Sequence, residues 1–313
     1  MLRKQKFGVE VEMTGITRET AARVVGELLG NTPSRPSGCY HARTILDGVC
    51  TLNPDIGRKW KVMYDSSIKP TMNDNSHSFI DEYKVELVTP PLNYEDIELL
   101  QHIIRKLRDS GAKVNSSCGI HIHIDGANHS PTSLKRLVNF MIERQDLLYE
   151  ALETGQRERR WCRKLNSDIL KEMKKCKELT KEDTERIWYS AANDHYTAGI
   201  DHSHYNETRY HGVNLHSFFT KGTVEFRLFN STLHAGKIKA YIQFCLAVSA
   251  WAITSKERVV FRSMSGYTPE QKVTIMRNIL TQRLGLRGDE FKTCRLWLMT
   301  PLKKFAGMNC RVA

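Results

Sequence analysis

Three short stretches each carry two reactive side chains two positions apart: Glu10 and Glu12 in FGVEVEM, His121 and His123 in GIHIHID, and Glu225 and Arg227 in TVEFRLF. Each lies in apolar, β-branched sequence that reads as strand, where residues i and i+2 project from one face. Carboxylates, imidazoles and a guanidinium left unpaired on a half-buried face cost several kcal/mol, roughly. They are therefore expected to hold something charged, and a divalent metal with phosphate is the natural candidate.

Each pair also has a plainer reading. The glutamates could be solvated while Val9, Val11 and Met13 form core, although two adjacent glutamates repel unless a cation or an arginine sits between them. The H-x-H pair, continued by Asp125, fits either a structural role or metal ligation. Glu225 and Arg227 suit an ion pair within or across strands, or a carboxylate on metal beside a guanidinium whose fork matches phosphate oxygens. Further polar groups stand at other strand ends: Asp65 and Ser67 in VMYDSSI, Glu86 in YKVELVTPPL, and Arg209, Asn214 and His216 in TRYHGVNLHSF. Glu10, Glu12, Glu86 and Glu225 with a histidine make an oxygen-rich donor set, which suits Mg²⁺ or Mn²⁺ better than structural zinc. The histidines at 195–216 are irregularly spaced and read as loop. Neither a P-loop nor a G-x-G-x-x-G after a strand is present, so ATP, if bound, would be held through metals on a sheet.

The elements that must position these groups are legible in outline. Helices are expected over 18–29, 95–110, 130–152, 237–254 and 268–285, with Thr17, Asn93, Ser130-Pro131 and Thr268-Pro269 as start signals. Strands are expected at 6–13, 59–64, 83–89, 113–124, 211–217 and 222–229. Their order is not a regular alternation, which predicts an α+β sheet with helices on one face, not a doubly wound parallel one. The stretch 31–58, rich in Pro, Gly and Ser, reads as a long loop or lid. Residues 155–190 pack eleven Lys/Arg and seven Asp/Glu; this reads as a solvated helical excursion held by i,i+4 ion pairs, or as a basic insertion for a polyanionic substrate.

At 313 residues, 40% hydrophobic and 26% charged, the chain is long enough for a substantial core. No apolar run approaches the ~18 residues a membrane span needs, and MLRKQK leads straight into a strand. A cytoplasmic protein without a membrane partner is the expectation. Eight scattered cysteines without C-x-x-C spacing read as reduced, mostly structural thiols. The formal charge of +12 favours polyanionic partners.

The ordered set FGVEVEM, WKVMYDSSI, VELVTPPL, CGIHIHID, RYHGVNLHS and TVEFRLFNSTL resembles the amidoligase family, itself similar to the glutamine synthetase and glutamate-cysteine ligase superfamily of carboxylate-amine ligases. The likeness runs from about residue 6 to 250. It implies a single catalytic domain over 1–313, with a charged helical insertion at about 155–205 and a C-terminal helical extension at about 255–313. It implies a curved, mainly antiparallel sheet, helices on its convex face and ATP with two or three divalent ions on its concave face. By the same resemblance Glu10 and Glu12 are the paired N-terminal metal ligands, Glu86 and Glu225 further ligands, and His121 or His123 the histidine ligand. Arg227 faces the transferred phosphate with Glu12 and Glu225 as catalytic partners, while Arg209 and Asn214 contact nucleotide or substrate, with Asp65 and Ser67 in a motif of less settled role. The implied reaction joins a carboxylate to an amine at the expense of ATP.

Two rival classes bracket that reading. A zinc hydrolase using His121 and His123 would leave Glu10, Glu12 and Arg227 without roles. A nucleic-acid-binding protein, suggested by the charge and by Trp161 in the basic segment, gives no reason for acids clustered on strands. A ligase acting on a nucleic-acid or nucleotide-linked substrate would combine the two.

Overall fold

A computed structural model describes residues 1–30, 50–52, 58–71, 80–192, 199–256 and 266–310. The chain divides into two compact units. One, here the N-proximal unit, is Lys6–Ile122 with Phe229–Lys239; the other, the C-proximal unit, is Met1–Gln5, His123–Leu228 and Ala240–Ala313.

The N-proximal unit contains strands β1 (Phe7–Met13), β2 (Cys50–Leu52), β3 (Trp60–Met63) and β4 (Val85–Val88), and the start of β5 (Gly119–Asp125), with helices α1 (Arg18–Leu28) and α2 (Ile97–Asp109). Its hydrogen-bonded order is β2-β3-β4-β1-β5. The β1–β4, β2–β3 and β3–β4 pairs are antiparallel. Thr17 caps α1 by accepting from the Thr20 amide, and Asn93 with Asp96 forms a capping box that opens a 3-10 turn ahead of α2. The stripe Ile97, Leu100, Ile104 and Leu107 is buried as its spacing predicts.

The C-proximal unit holds the end of β5, then α3 (Pro131–Ala151), α4 (Asp168–Lys175), α5 (Lys181–Ala191), β6 (Val213–Asn214), α6 (His216–Lys221) and all but the last two residues of β7 (Thr223–Asn230). Most of α7 (Ala235–Thr254), α8 (Pro269–Asn278) and α9 (Lys292–Phe305) follow. Its strand order is β5-β7-β6, with β6 antiparallel to β7. Proline opens α3 and α8 as expected, and α8 passes into a π-helical turn at Ile279–Arg283.

Four expectations need correction. Strand β5 starts at Gly119 and not at 113, because the Asn115 side chain and carbonyl accept from the Ser117 and Cys118 amides and close a turn. Lys113 keeps only an isolated bridge to Thr14. The expected strand 211–217 shrinks to two residues, since Asn214 Oδ1 accepts from the Ser217 amide at 3.3 Å and the chain turns into α6. Within the expected loop 31–58, residues 50–52 form β2; residues 31–49 and 53–57 lie outside the described residues. The charged stretch is helical, but its ion pairs Lys171–Asp168, Lys175–Glu172 and Arg186–Asp183 are spaced i,i+3. It is also not wholly solvated: Ile169, Leu170, Met173, Ile187 and Trp188 are buried.

Cys118, Cys162, Cys245 and Cys294 are buried free thiols, and Cys176 and Cys310 are partly exposed free thiols. Among the described residues no helix is long and apolar enough to cross a membrane.

Candidate functional site

The strand pattern predicts apolar residues on one face only, yet both faces of the site-bearing strands are covered. Val9, Val11 and Met13 are buried on β1, and so is Glu12 at 3% exposure. On β5 the isoleucines 120, 122 and 124 alternate with buried His121 and His123; on β7 Val224, Phe226 and Leu228 alternate with buried Glu225 and Arg227. The solvated reading of Glu12 therefore fails.

In the N-proximal unit the register sets Glu12 directly opposite Glu86 across β1 and β4. Two carboxylates facing each other on adjacent strands repel, the more so when both are buried. Glu12 Oε2 accepts from the Gly119 amide at 2.7 Å, which compensates part of its charge. The His121 ring lies between the β1 glutamates, with Nδ1 2.9 Å from Glu10 Oε2 and Nε2 3.6 Å from Glu12 Oε1. Asp65, just after β3, accepts from the Ser67 amide at 2.6 Å, a turn that fixes its carboxylate. Glu10, Glu86 and His121 each offer a ligand atom within 4.8 Å of the others, as do Glu12, Asp65 and Glu86. Glu86 belongs to both sets. Carboxylate oxygens with a single imidazole are the donors a hard divalent cation takes, so these residues fit Mg²⁺ or Mn²⁺.

The C-proximal unit gathers the other residues named by the sequence. Arg227 Nη1 donates to Glu225 Oε1 at 2.5 Å, the intrastrand pair that i,i+2 spacing allows. Asn214, opposite Glu225 in the β6–β7 register, donates to Glu225 Oε2 at 2.6 Å. His123 Nε2 is 3.8 Å from Glu225 Oε1. Arg209 lies half-buried in a 3-10 turn; its guanidinium sits 5.5 Å from the Tyr210 ring centre, and that of Arg227 sits 5.9 Å from the same ring. Trp161 meets Tyr210 edge-on at 5.8 Å. Burial pushes the Tyr189 hydroxyl up, and its oxygen lies in hydrogen-bond contact with His216 Nδ1 at 2.7 Å. Burial, with Arg209 adding to it, pushes His216 down to about 4.

Of the H-x-H pair, His121 contacts Glu10 and Glu12, and His123 Nε2 lies 3.8 Å from Glu225 Oε1. Sequence reasoning missed two hydroxyls that touch His123, Thr223 and Ser217. Thr223 was within reach of inspection as the residue opening TVEFRLF. The histidines of 199–216 do not converge: His202 pairs with Glu185, His211 with the Thr208 carbonyl and His216 with Tyr189. His195 lies outside the described residues.

The family profile described as "Putative amidoligase enzyme" matches residues 3–249. Among solved structures, the chain is similar to a bifunctional glutathione synthetase from Pasteurella multocida, with a TM-score of 0.39 and 15% sequence identity. That similarity covers 98% of this chain and 48% of the other, so the chain spans about half of its length. No curated protein matches the sequence.

Proposed function

The chain belongs to the amidoligase family, and from that premise we propose that it is an ATP-dependent carboxylate-amine ligase working through an acyl phosphate. The observation that carries the reading is the buried, in-register opposition of Glu12 and Glu86, with Glu10, Asp65 and His121 around them. In this proposal that set holds Mg²⁺ or Mn²⁺, and His121 is its histidine ligand. When bound, the cation supplies charge neutralisation for the phosphate oxygens of ATP.

A carboxylate is a poor acyl donor, so one of its oxygens attacks the γ-phosphorus, and ADP leaves with the electron pair of the broken P–O bond. The amine lone pair then attacks the acyl carbon, the C–O bond breaks with its electron pair leaving on phosphate, and a nearby carboxylate or histidine accepts the proton that the amine gives up. Arg227 offsets charge on the transferred phosphoryl group, and Glu225 orients it through their 2.5 Å contact. Glu225 and His123 form a second carboxylate and imidazole contact for cation. Asn214 acts by fixing Glu225. Arg209 beside Tyr210 takes an anionic part of nucleotide or substrate, and Ser67 holds Asp65 in place. The proposal extends to a glutamine-synthetase-like sheet in a single catalytic domain, with 155–205 as insertion and 255–313 as extension.

Hydroxylamine as the amine, with ATP, Mg²⁺ and a panel of carboxylic acids, tests this. Hydroxamate and ADP formed together, with loss of at least 100-fold in Glu12→Gln, are the expected result. Amide cleavage without nucleotide would replace this reading with the zinc hydrolase.

A further inference from the structure

We propose that Thr223 and Ser217 are positioning residues that hold His123 with its proton on Nδ1 and its Nε2 lone pair turned toward Glu225. The inference rests on the reading of His123 as a cation contact given above. His123 Nδ1 lies 2.8 Å from Thr223 Oγ1 and 3.3 Å from Ser217 Oγ, and the two hydroxyl oxygens are 2.9 Å apart. A planar ring gripped at one nitrogen has the direction of the other decided for it. Here the other nitrogen is 3.8 Å from Glu225 Oε1.

The clamp is built from the same turn that builds the carboxylate. Ser217 donates its amide to Asn214 Oδ1, and Asn214 donates to Glu225 Oε2, so one asparagine sets both the hydroxyl and the acid. Hydroxyls accept as readily as they donate. Thr223 is half exposed, so its oxygen can take both Nδ1–H and the Ser217 O–H while its own proton turns to solvent. A neutral imidazole carries one N–H, and placing it on Nδ1 leaves at Nε2 the lone pair that a cation requires.

Nitrogen-15 NMR of histidine-labelled protein in Mg²⁺ reads the tautomer directly, with His123 assigned by its loss in His123→Gln. The wild type is expected to show Nδ1–H, Thr223→Val to move toward Nε2–H, and Thr223→Ser to return to the wild-type form. Mn²⁺ affinity, measured by electron paramagnetic resonance, should fall about tenfold in Thr223→Val and recover in Thr223→Ser. A wild-type His123 protonated on Nε2, or an Nδ1–H signal unmoved in both Thr223→Val and Ser217→Ala, overturns the proposal. The wild-type spectrum needs no variant, so an unfolded Thr223→Val does not shield the claim. A tautomer that shifts while Mn²⁺ affinity holds supports the clamp and overturns the reading of His123 as a cation contact, which separates the two failures.

Discussion

A buried ion pair is weak evidence for stability but strong evidence for dependence of each partner on the other. Arg227→Ala would take from Glu225, 3% exposed, the guanidinium 2.5 Å away, and is expected to cost about 3–5 kcal/mol in urea unfolding. Arg227→Lys keeps the charge, loses the fork and should cost much less stability, so a loss of ligase turnover in it reports on chemistry and not on folding. His129 supplies a pH prediction. Its ring meets Ser133 and Ser249 at 2.9 Å each, and burial pushes it down to about 4 from 6.5. The unfolded chain therefore binds the extra proton first, so this contribution is present above pH 6.5 and is lost as the pH falls toward 4. It amounts to about 3 kcal/mol at most, and urea midpoints measured across that window should flatten in His129→Gln. At this scale the sequence displayed the residue types and the i,i+2 pairs, including Glu225 with Arg227. It could not display Asn214 on Glu225 or Glu12 against Glu86, because cross-strand neighbours depend on register. Nor could it say which carboxylates His121 and His123 each contact, since i and i+2 share a face yet stand about 6.6 Å apart along a strand.

Elements carry predictions of their own. A Cβ on Gly212 would run into the Tyr149 hydroxyl, which donates to the Cys162 carbonyl at 2.6 Å. Gly212→Ala should destabilise by about 2 kcal/mol or more, and Tyr149→Phe, by removing the oxygen, should recover part of that loss. Denaturant unfolding of both single variants and the double variant measures the coupling; strict additivity would contradict the packing described. On α5, Thr180 and Asp183 form a capping box, so Thr180→Ala should lower stability by about 1 kcal/mol in the same assay. Helix starts were legible because Thr17, Ser130-Pro131 and Thr268-Pro269 act locally. The fate of 211–217 was not, because β-branched and aromatic content favours strand while the Asn214 side chain, accepting from the Ser217 amide, turns the chain toward helix. Strand β2 was hidden for the converse reason: three residues among Pro and Gly carry too little pattern to outweigh their surroundings.

For the whole molecule, the charge of +12 is expected to speed capture of anionic substrates, so the association rate of MgATP should fall as salt rises from 50 to about 300 mM. A rate indifferent to salt would remove the field of the protein from the account. Composition and motif order carried the family and the α+β class, since both survive as sums over many residues. The division into two units built from interleaved segments was not legible, because it depends on contacts between stretches more than a hundred residues apart.

The most direct test of the central claim is calorimetric titration with a non-hydrolysable ATP analogue, with and without Mg²⁺, in wild type and in Glu12→Gln and Glu86→Gln. The account predicts binding that requires the divalent cation and is lost in both variants. Binding of equal strength without a cation, or unchanged in both variants, would contradict it.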